Sequence, residues 1–209
     1  MKSNPYDQFR TECAAFFDAL YVDEHKILVF GEGNPGAKVM MIGEAPGEQE
    51  SLLGRPFVGK AGKNLDAFIQ MTGLNREDMY ITNTVKFRPV KRSASGRASN
   101  RPPTREEIAL MLPWLVWEIG YVNPQVIVTL GNVPLRALMG PGITIGQAHG
   151  TWLTYQGINH QGTNHKGTPL FPLYHPAALI YNPQLEETYR TDVLALSEML
   201  CGNAQLKRF

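Results

Sequence analysis

VMMIGEAPGEQE, residues 39–50, runs four apolar residues straight into a turn holding two glycines, a proline and three glutamates. A short apolar run bounded by turn signals reads as a strand covered on both faces. Gly43 and Gly47 allow close approach of a ligand to the backbone, or a positive φ. Pro46 fixes one dihedral between them. Glu44 therefore sits in a constrained turn at a strand end, where a carboxylate can orient a water or stabilise positive charge. A solvated acidic turn accounts for the same residues equally well. The stretch is no phosphate loop, for it lacks GxxxxGK[ST] and its carboxylates would repel a triphosphate. Nor is it a dinucleotide fingerprint, since Gly31-Glu32-Gly33 precedes the strand instead of following it.

Outward from this strand, helical and extended patterns alternate. Residues 5–20 repeat Phe9, Cys13, Phe16, Phe17 and Leu20 at helical spacing. Residues 63–71 follow as a helix with Leu65, Phe68 and Ile69 on one side, ended by Gly73. Residues 79–85 are the next strand. Thr104 with Glu107 forms a capping box for a helix reaching about residue 118, bent at Pro113. A strand at 126–130 and a helix at 132–139, with Pro134 in its first turn, come next. The Gly-rich span 140–167 holds an edge strand at 152–155. Residues 170–174 are extended, though Pro172 weakens that reading. Residues 185–200 form the last helix. The alternation predicts an α/β fold: one three-layer α/β/α domain over residues 1–209 with a mostly parallel central sheet. Its ligand site should lie beyond the carboxyl ends of the strands. Residues 43–50, 83–89 and those from His175 onward fall there. Residues 91–103, rich in Ser, Arg, Gly and Pro, are expected as a flexible basic loop.

Composition narrows the function. The 209 residues are 43% hydrophobic and 19% charged, enough apolar material for one folded core. A formal net charge of +1 gives no global field, so a polyanionic partner needs a local basic patch. Cys13 and Cys201 make no disulfide framework and suit a reducing compartment. The first residues lack an apolar signal core, and no apolar run is long enough to span a bilayer. A cytoplasmic monomer is expected. His160 and His165 do not match zinc-ligand spacing, and no metal site is expected.

Several side chains offer chemistry. Phe57, within RPFVGKAG, could be core or could stack on a flat ligand. Gly59 and Gly62 suit close passage of a phosphate backbone, with Lys60 and Lys63 adding charge. Asn83 offers one acceptor and two donors, matching the carbonyl, N–H, carbonyl edge of uracil, but it could equally cap a turn. Lys86, Arg88, Lys91, Arg92, Arg97, Arg101 and Arg105 make a basic run that is either a solvated face or a set of phosphate contacts. His175 could donate a hydrogen bond to a developing oxyanion without a metal.

GEAPGEQE, GRPFVGKAG, TNTVKFRP and YHPAAL, in that order, resemble the motifs of family 4 uracil-DNA glycosylases. The resemblance spans residues 29–179. It implies removal of uracil from single- or double-stranded DNA, leaving an abasic site. It implies Glu44 and Glu50 as motif carboxylates, His175 facing uracil O2, Asn83 reading the base edge and Phe57 stacking on it. Leu179 would lie where related enzymes fill the vacated base stack, and Lys60, Lys63, Arg88 and Arg92 would meet DNA. Ala45 fits the family but stands where other uracil-DNA glycosylases carry an aspartate. The family normally holds an iron–sulfur cluster on four cysteines. Phe87 and Leu112 stand at two of those places and Cys13 is alone upstream, so no cluster is expected and packing must replace its cross-link. Ser51 and Ala177 are further departures. Retained binding without turnover, a metal-dependent nucleotide hydrolase, and a changed choice of deaminated base are the alternatives.

Overall fold

The computed structural model describes residues 4–157 and 167–202; the histidines at 160 and 165 lie outside them. In chain order the elements are α1 (Pro5–Leu20), β1 (Glu32–Gly33), β2 (Val39–Gly43), α2 (Glu48–Leu53), α3 (Lys60–Met71), β3 (Tyr80–Asn83), β4 (Val90–Arg92), β5 (Ala98–Asn100), α4 (Arg105–Val122), β6 (Val126–Leu130), α5 (Asn132–Met139), α6 (Ile145–Ala148), β7 (Leu153–Tyr155), β8 (Thr168–Leu173), α7 (Ala178–Tyr181) and α8 (Glu186–Gly202). One sheet has the order β1-β3-β2-β6-β8-β7. Its four central strands are parallel, and the two edges, β1 and β7, run antiparallel.

The 39–43 strand lies in the middle of this sheet, and all five of its residues are buried. Alternation along it feeds two cores. Val39 and Met41 pack with Leu65 and Ile69 of α3 and Tyr189, Val193 and Leu196 of α8. Met40 and Ile42 pack with Leu115 and Ile119 of α4, Leu135 of α5 and Ile145 of α6. A strand buried on both faces has no polar side to show, so its sequence is a continuous apolar run. The result is the three-layer α/β/α domain expected.

Pro172 fits β8 because pairing with β7 ends at Leu153 opposite Leu170, two residues before the proline. Its missing N–H faces a place where no strand asks for it, and its carbonyl accepts from Gly150 N at 3.0 Å. Pro113 lies inside α4 without ending it. That helix starts at the expected capping box and continues to Val122, where Asn123 closes it in the left-handed conformation.

Two expectations need correction. Residues 91–103 are not simply a loop: β4 and β5 pair antiparallel as a hairpin, with Val90 opposite Asn100 and Arg92 opposite Ala98. Gly96, at φ +80°, turns it. The packing expected to replace the cluster also differs in one residue. Cys13 and Phe17 of α1, Val85, Phe87 and Met111 form a third core, all buried. Leu112 instead leans on the core between the sheet and α4. One turn residue's difference decides which face of α4 a side chain occupies, so the residue next to Leu112 holds the place. Burial pushes the Cys13 thiol up to about 12, the behaviour of an inert packing thiol. With one cysteine among apolar side chains, these residues do not fit an iron–sulfur cluster.

Candidate active site

The carboxyl ends of the parallel strands bring the motif residues together. β2 ends at Gly43 and leads to Glu44; β3 ends at Asn83; β8 leads to His175. Thr84 N and Val85 N donate to the carbonyls of Gly43 (2.8 Å) and Glu44 (3.0 Å), which locks the first two segments side by side. A cleft of about 740 Å³ opens above them, lined by Glu44, Ala45, Phe57, Asn83 and His175, with Lys60 at its wall.

Gly43 is the floor. A Cβ built there would stand 2.4 Å from Asn83 Oδ1 and 2.4 Å from Phe57 Cζ, so only glycine lets the amide and the ring converge. Asn83 is 2% exposed and its Oδ1 has no hydrogen-bond partner in the protein. A buried amide oxygen left unpaired costs about 1–3 kcal/mol, and such exceptions mark strained or working groups.

Phe57 has φ +52°, the left-handed region that a bulky aromatic rarely adopts. Three contacts impose it. Glu50 accepts from Val58 N (3.0 Å) and Gly59 N (2.8 Å) through Oε1. Arg76 Nη2 donates to the Pro56 carbonyl at 2.8 Å. Gly62 of α3 passes so close that a Cβ would lie 1.9 Å from the Phe57 carbonyl oxygen. The Phe57 ring ends 5.9 Å from the His175 ring, 30° from parallel.

The two motif glutamates sit in unlike surroundings. Glu50 Oε2 also accepts from Gly47 N at 3.1 Å, so its carboxylate is consumed by three backbone N–H groups. It staples the turn before α2 to the segment before α3. Among the described residues the Glu44 carboxylate has no hydrogen-bond or ion-pair partner, and burial raises its pKa above the ordinary carboxylate value.

His175 is half-buried. Its Nδ1 accepts from Ala177 N at 3.1 Å, which leaves the proton of a neutral imidazole on Nε2. Burial pushes its pKa down to about 4, against the pull of the Glu50 carboxylate. Neutral imidazole with a free Nε2–H donor is therefore its state at neutral pH.

The basic run divides. Lys86 is not on a solvated face: it is fully buried, donating to Glu118 Oε2 (2.5 Å), the Asn83 carbonyl (2.6 Å) and Thr82 Oγ1 (2.8 Å). The other Glu118 oxygen accepts from Tyr80 OH (3.0 Å), Tyr6 OH (3.2 Å) and Gly31 N (3.2 Å). Sequence reading missed this network, because a lysine at the head of a basic run looks like surface and its carboxylate partner is 32 residues away. Arg101 is held bidentately by Glu107, at 2.7 Å for both bonds. Arg88 bridges Glu48 of α2 (3.0 Å) and Asn100 at the end of the hairpin (2.7 Å). Lys60, Lys63, Lys91, Arg92 and Arg97 are exposed. Leu179 is half-buried against the core of α3 and α8, whereas its neighbours Ile180 and Tyr181 line the cleft. Among the described residues no group of three His, Cys, Asp or Glu side chains could hold a metal ion, and no helix is long and apolar enough to cross a membrane.

Known proteins resemble this chain over most of its length. Residues 30–196 match the model of the Uracil DNA glycosylase superfamily. The type-4 uracil-DNA glycosylase of Saccharolobus solfataricus is 38% identical over 180 residues, which is 84% of this chain and 77% of that protein. That of Archaeoglobus fulgidus is 38% identical over 179 residues, 84% of this chain and 82% of that protein. A type-5 enzyme from Pyrobaculum aerophilum is more distant, at 31% over 185 residues, covering 80% of this chain and 71% of that protein. Matched over most of its length by the superfamily model and by type-4 relatives, this chain belongs to the uracil-DNA glycosylase superfamily and to its type-4 family.

Proposed function

We propose that this protein hydrolyses the N-glycosidic bond of uracil in DNA, leaving an abasic site as the first step of base excision repair. The observation that carries the reading is the meeting of three groups over Gly43: the Asn83 amide with its unpaired oxygen, the Phe57 ring and a neutral His175. The uracil nucleotide leaves the stack and enters the cleft. Asn83 accepts from uracil N3–H and donates to O4; cytosine would mispair at both atoms. Phe57 supports the ring face. As the C–N bond lengthens, positive charge grows on the sugar and negative charge on the base. His175 Nε2–H donates to O2 and stabilises the departing anion, without first giving up its own proton to solvent. The Glu44 carboxylate, free of protein partners, stabilises the sugar cation and orients the attacking water. Water adds to C1′, its proton passes to Glu44 or bulk, and the uracil anion leaves. Glu50 acts through the backbone it staples: it is a positioning residue.

Exposed Lys60, Lys63 and Arg92 are the proposed phosphate contacts. Arg88 would have to leave Glu48 and Asn100 to join them, so its proposed part is to hold the hairpin against the motif turn. Ala45 lies in the cleft wall with no charge to offer, which leaves the carboxylate work to Glu44. A monomer in the cytoplasm belongs to the same proposal.

The test is incubation, with chelator present, of single-stranded and duplex DNA carrying one uracil, followed by alkali. Cleavage only after alkali, lost in Glu44→Ala and His175→Ala, is expected. Asn83→Asp should lose most uracil release, because a carboxylate cannot donate to O4. A folded protein that releases no uracil would overturn the proposal; release of hypoxanthine or xanthine instead would mark a changed base choice, and binding without release a non-catalytic homologue.

A further inference from the structure

Tyr181 is the most exposed large hydrophobic residue in the described chain, at 86%, and it stands on the lip of the cleft. It ends α7, the short helix that begins three residues after His175. Ile180 beside it is 45% exposed and also lines the cleft. Leu179, the position to which the family resemblance assigns filling of the base stack, is turned away and packed on the core. Using Leu179 in that role would strip apolar contacts from the core, whereas Tyr181 loses nothing by leaving water.

The helix that carries Tyr181 is tied to the catalytic groups. Ala178 N donates to the His175 carbonyl at 2.8 Å, and Asn182 N closes the turn on Ala178 O at 2.8 Å. Asn64 Nδ2 of α3 holds the Pro176 carbonyl at 3.1 Å. A flat ring is thus mounted on a fixed stalk next to the groups that would receive a flipped base. Extruding one nucleotide from a duplex leaves an apolar gap between two base pairs. An aromatic face fills such a gap by stacking, and base–aromatic stacking tolerates any sequence.

We propose that Tyr181, not Leu179, enters the duplex and occupies the space vacated by the flipped uracil, with Ile180 covering the adjacent edge. This rests on the uracil-DNA reading of the cleft. A single strand has no gap to hold open, so the residue should matter for duplex DNA and little for single-stranded DNA. That asymmetry separates a wedge from a structural tyrosine, whose loss would lower both rates together.

The experiment measures single-turnover uracil release from a duplex and from the same strand alone, for the wild type, Tyr181→Ala, Tyr181→Phe and Leu179→Ala. Tyr181→Ala should slow the duplex reaction about 5- to 150-fold, the range that loss of one stacking contact gives, and the single-strand reaction far less. Tyr181→Phe should restore the duplex rate, since the ring and not the hydroxyl does the stacking. Leu179→Ala should lower thermal stability and, below its melting range, slow both substrates alike. Equal rates for wild type and Tyr181→Ala on duplex, equal loss on both substrates, or a duplex-specific loss in Leu179→Ala alone would each overturn the assignment. A wild type inactive on both DNAs would instead remove the uracil reading itself, and the wedge with it.

Discussion

The two motif glutamates should fail in opposite ways when each is changed to glutamine. Glu50 accepts three backbone N–H groups, from Gly47, Val58 and Gly59. In Glu50→Gln, the oxygen facing Val58 and Gly59 can remain an acceptor. The atom facing Gly47 becomes an amide donor pointed at a donor. A hydrogen bond to a charged group contributes about 1.5–3 kcal/mol and a neutral one about 1. One bond is lost and two are weakened, a destabilisation of about 3 kcal/mol, or roughly 6–12 °C in Tm for a chain of this size. The turn it staples carries Phe57 in its left-handed conformation, so activity should fall as well, but by about 10-fold or less while the protein is folded, because no transition-state charge is removed. Glu44 is the reverse case. Its carboxylate has no protein partner and is disfavoured by burial, so Glu44→Gln should leave Tm unchanged or slightly higher. The lost stabilisation of the sugar cation should cost about 100- to 1000-fold in single-turnover rate. The assay pairs thermal unfolding by circular dichroism with single-turnover uracil release well below both melting ranges. Should Glu50→Gln abolish release at unchanged Tm while Glu44→Gln stays active, the roles assigned here are reversed and the reasoning fails.

Other outcomes follow from the same geometry. Nitrogen NMR of His175 should show a neutral ring protonated on Nε2 from pH 8 down to about pH 5, since burial holds its pKa down to about 4; imidazolium at neutral pH would refute the donor role. Because the unfolded histidine takes its proton first, near 6.5, this residue should subtract stability as pH falls from there toward 4. The acid limb of activity should be set by protonation of Glu44, above the ordinary carboxylate range, and should vanish from the residual activity of Glu44→Gln. Lys86→Met should destabilise by about 3–5 kcal/mol by stranding the buried Glu118 carboxylate, and adding Glu118→Gln should recover much of it; equal stability of the single and double variants in thermal unfolding would argue against the network.

What the sequence exposed and what it hid differ in kind. β2, β6 and the capped start of α4 were legible because their signals are local: a continuous apolar run, or a threonine three residues before a glutamate. The convergence of Glu44, Asn83 and His175 was legible for a related reason, since each lies at or within two residues of the carboxyl end of a parallel strand. The hairpin of β4 and β5 was not, because Val-Lys-Arg and Ala-Ser-Asn, each half-buried only at its first residue, are too short to show an apolar alternation. The separation of Glu44 from Glu50 was hidden too. Both lie in one acidic turn, and only the return of residues 58 and 59 from beyond α2 tells which carboxylate is consumed. Lys86 and Tyr181 mark the same limit at its extremes, a buried charge in a basic run and an exposed ring in an apolar one.

The third core gives these hidden residues a common logic. Where the family resemblance implies an iron–sulfur cluster, here Phe17, Phe87, Met111 and Cys13 join α1 to the segment after β3 and to α4 by burial. Fully burying a side chain of Phe or Met size contributes about 1.5–3 kcal/mol, so three of them give about 5–9 kcal/mol, enough to anchor a helix. Apolar packing is not directional, however, and cannot fix the register of α1 against the strand that carries Asn83. The polar network does that. Tyr6 of α1 donates to the Glu118 carboxylate, and its hydroxyl oxygen lies 2.6 Å from that of Tyr80; Glu118 holds Lys86; Lys86 holds the Asn83 carbonyl. Both layers converge on one segment, for Val85 and Phe87 lie in the apolar core while Lys86 between them enters the network. Alternation along residues 85–87 thus assigns Val85 and Phe87 to attachment of the first helix and Lys86 to the hold on the Asn83 backbone. A chain with only two cysteines can in this way keep Asn83, the proposed reader of the base, in place by packing and hydrogen bonds.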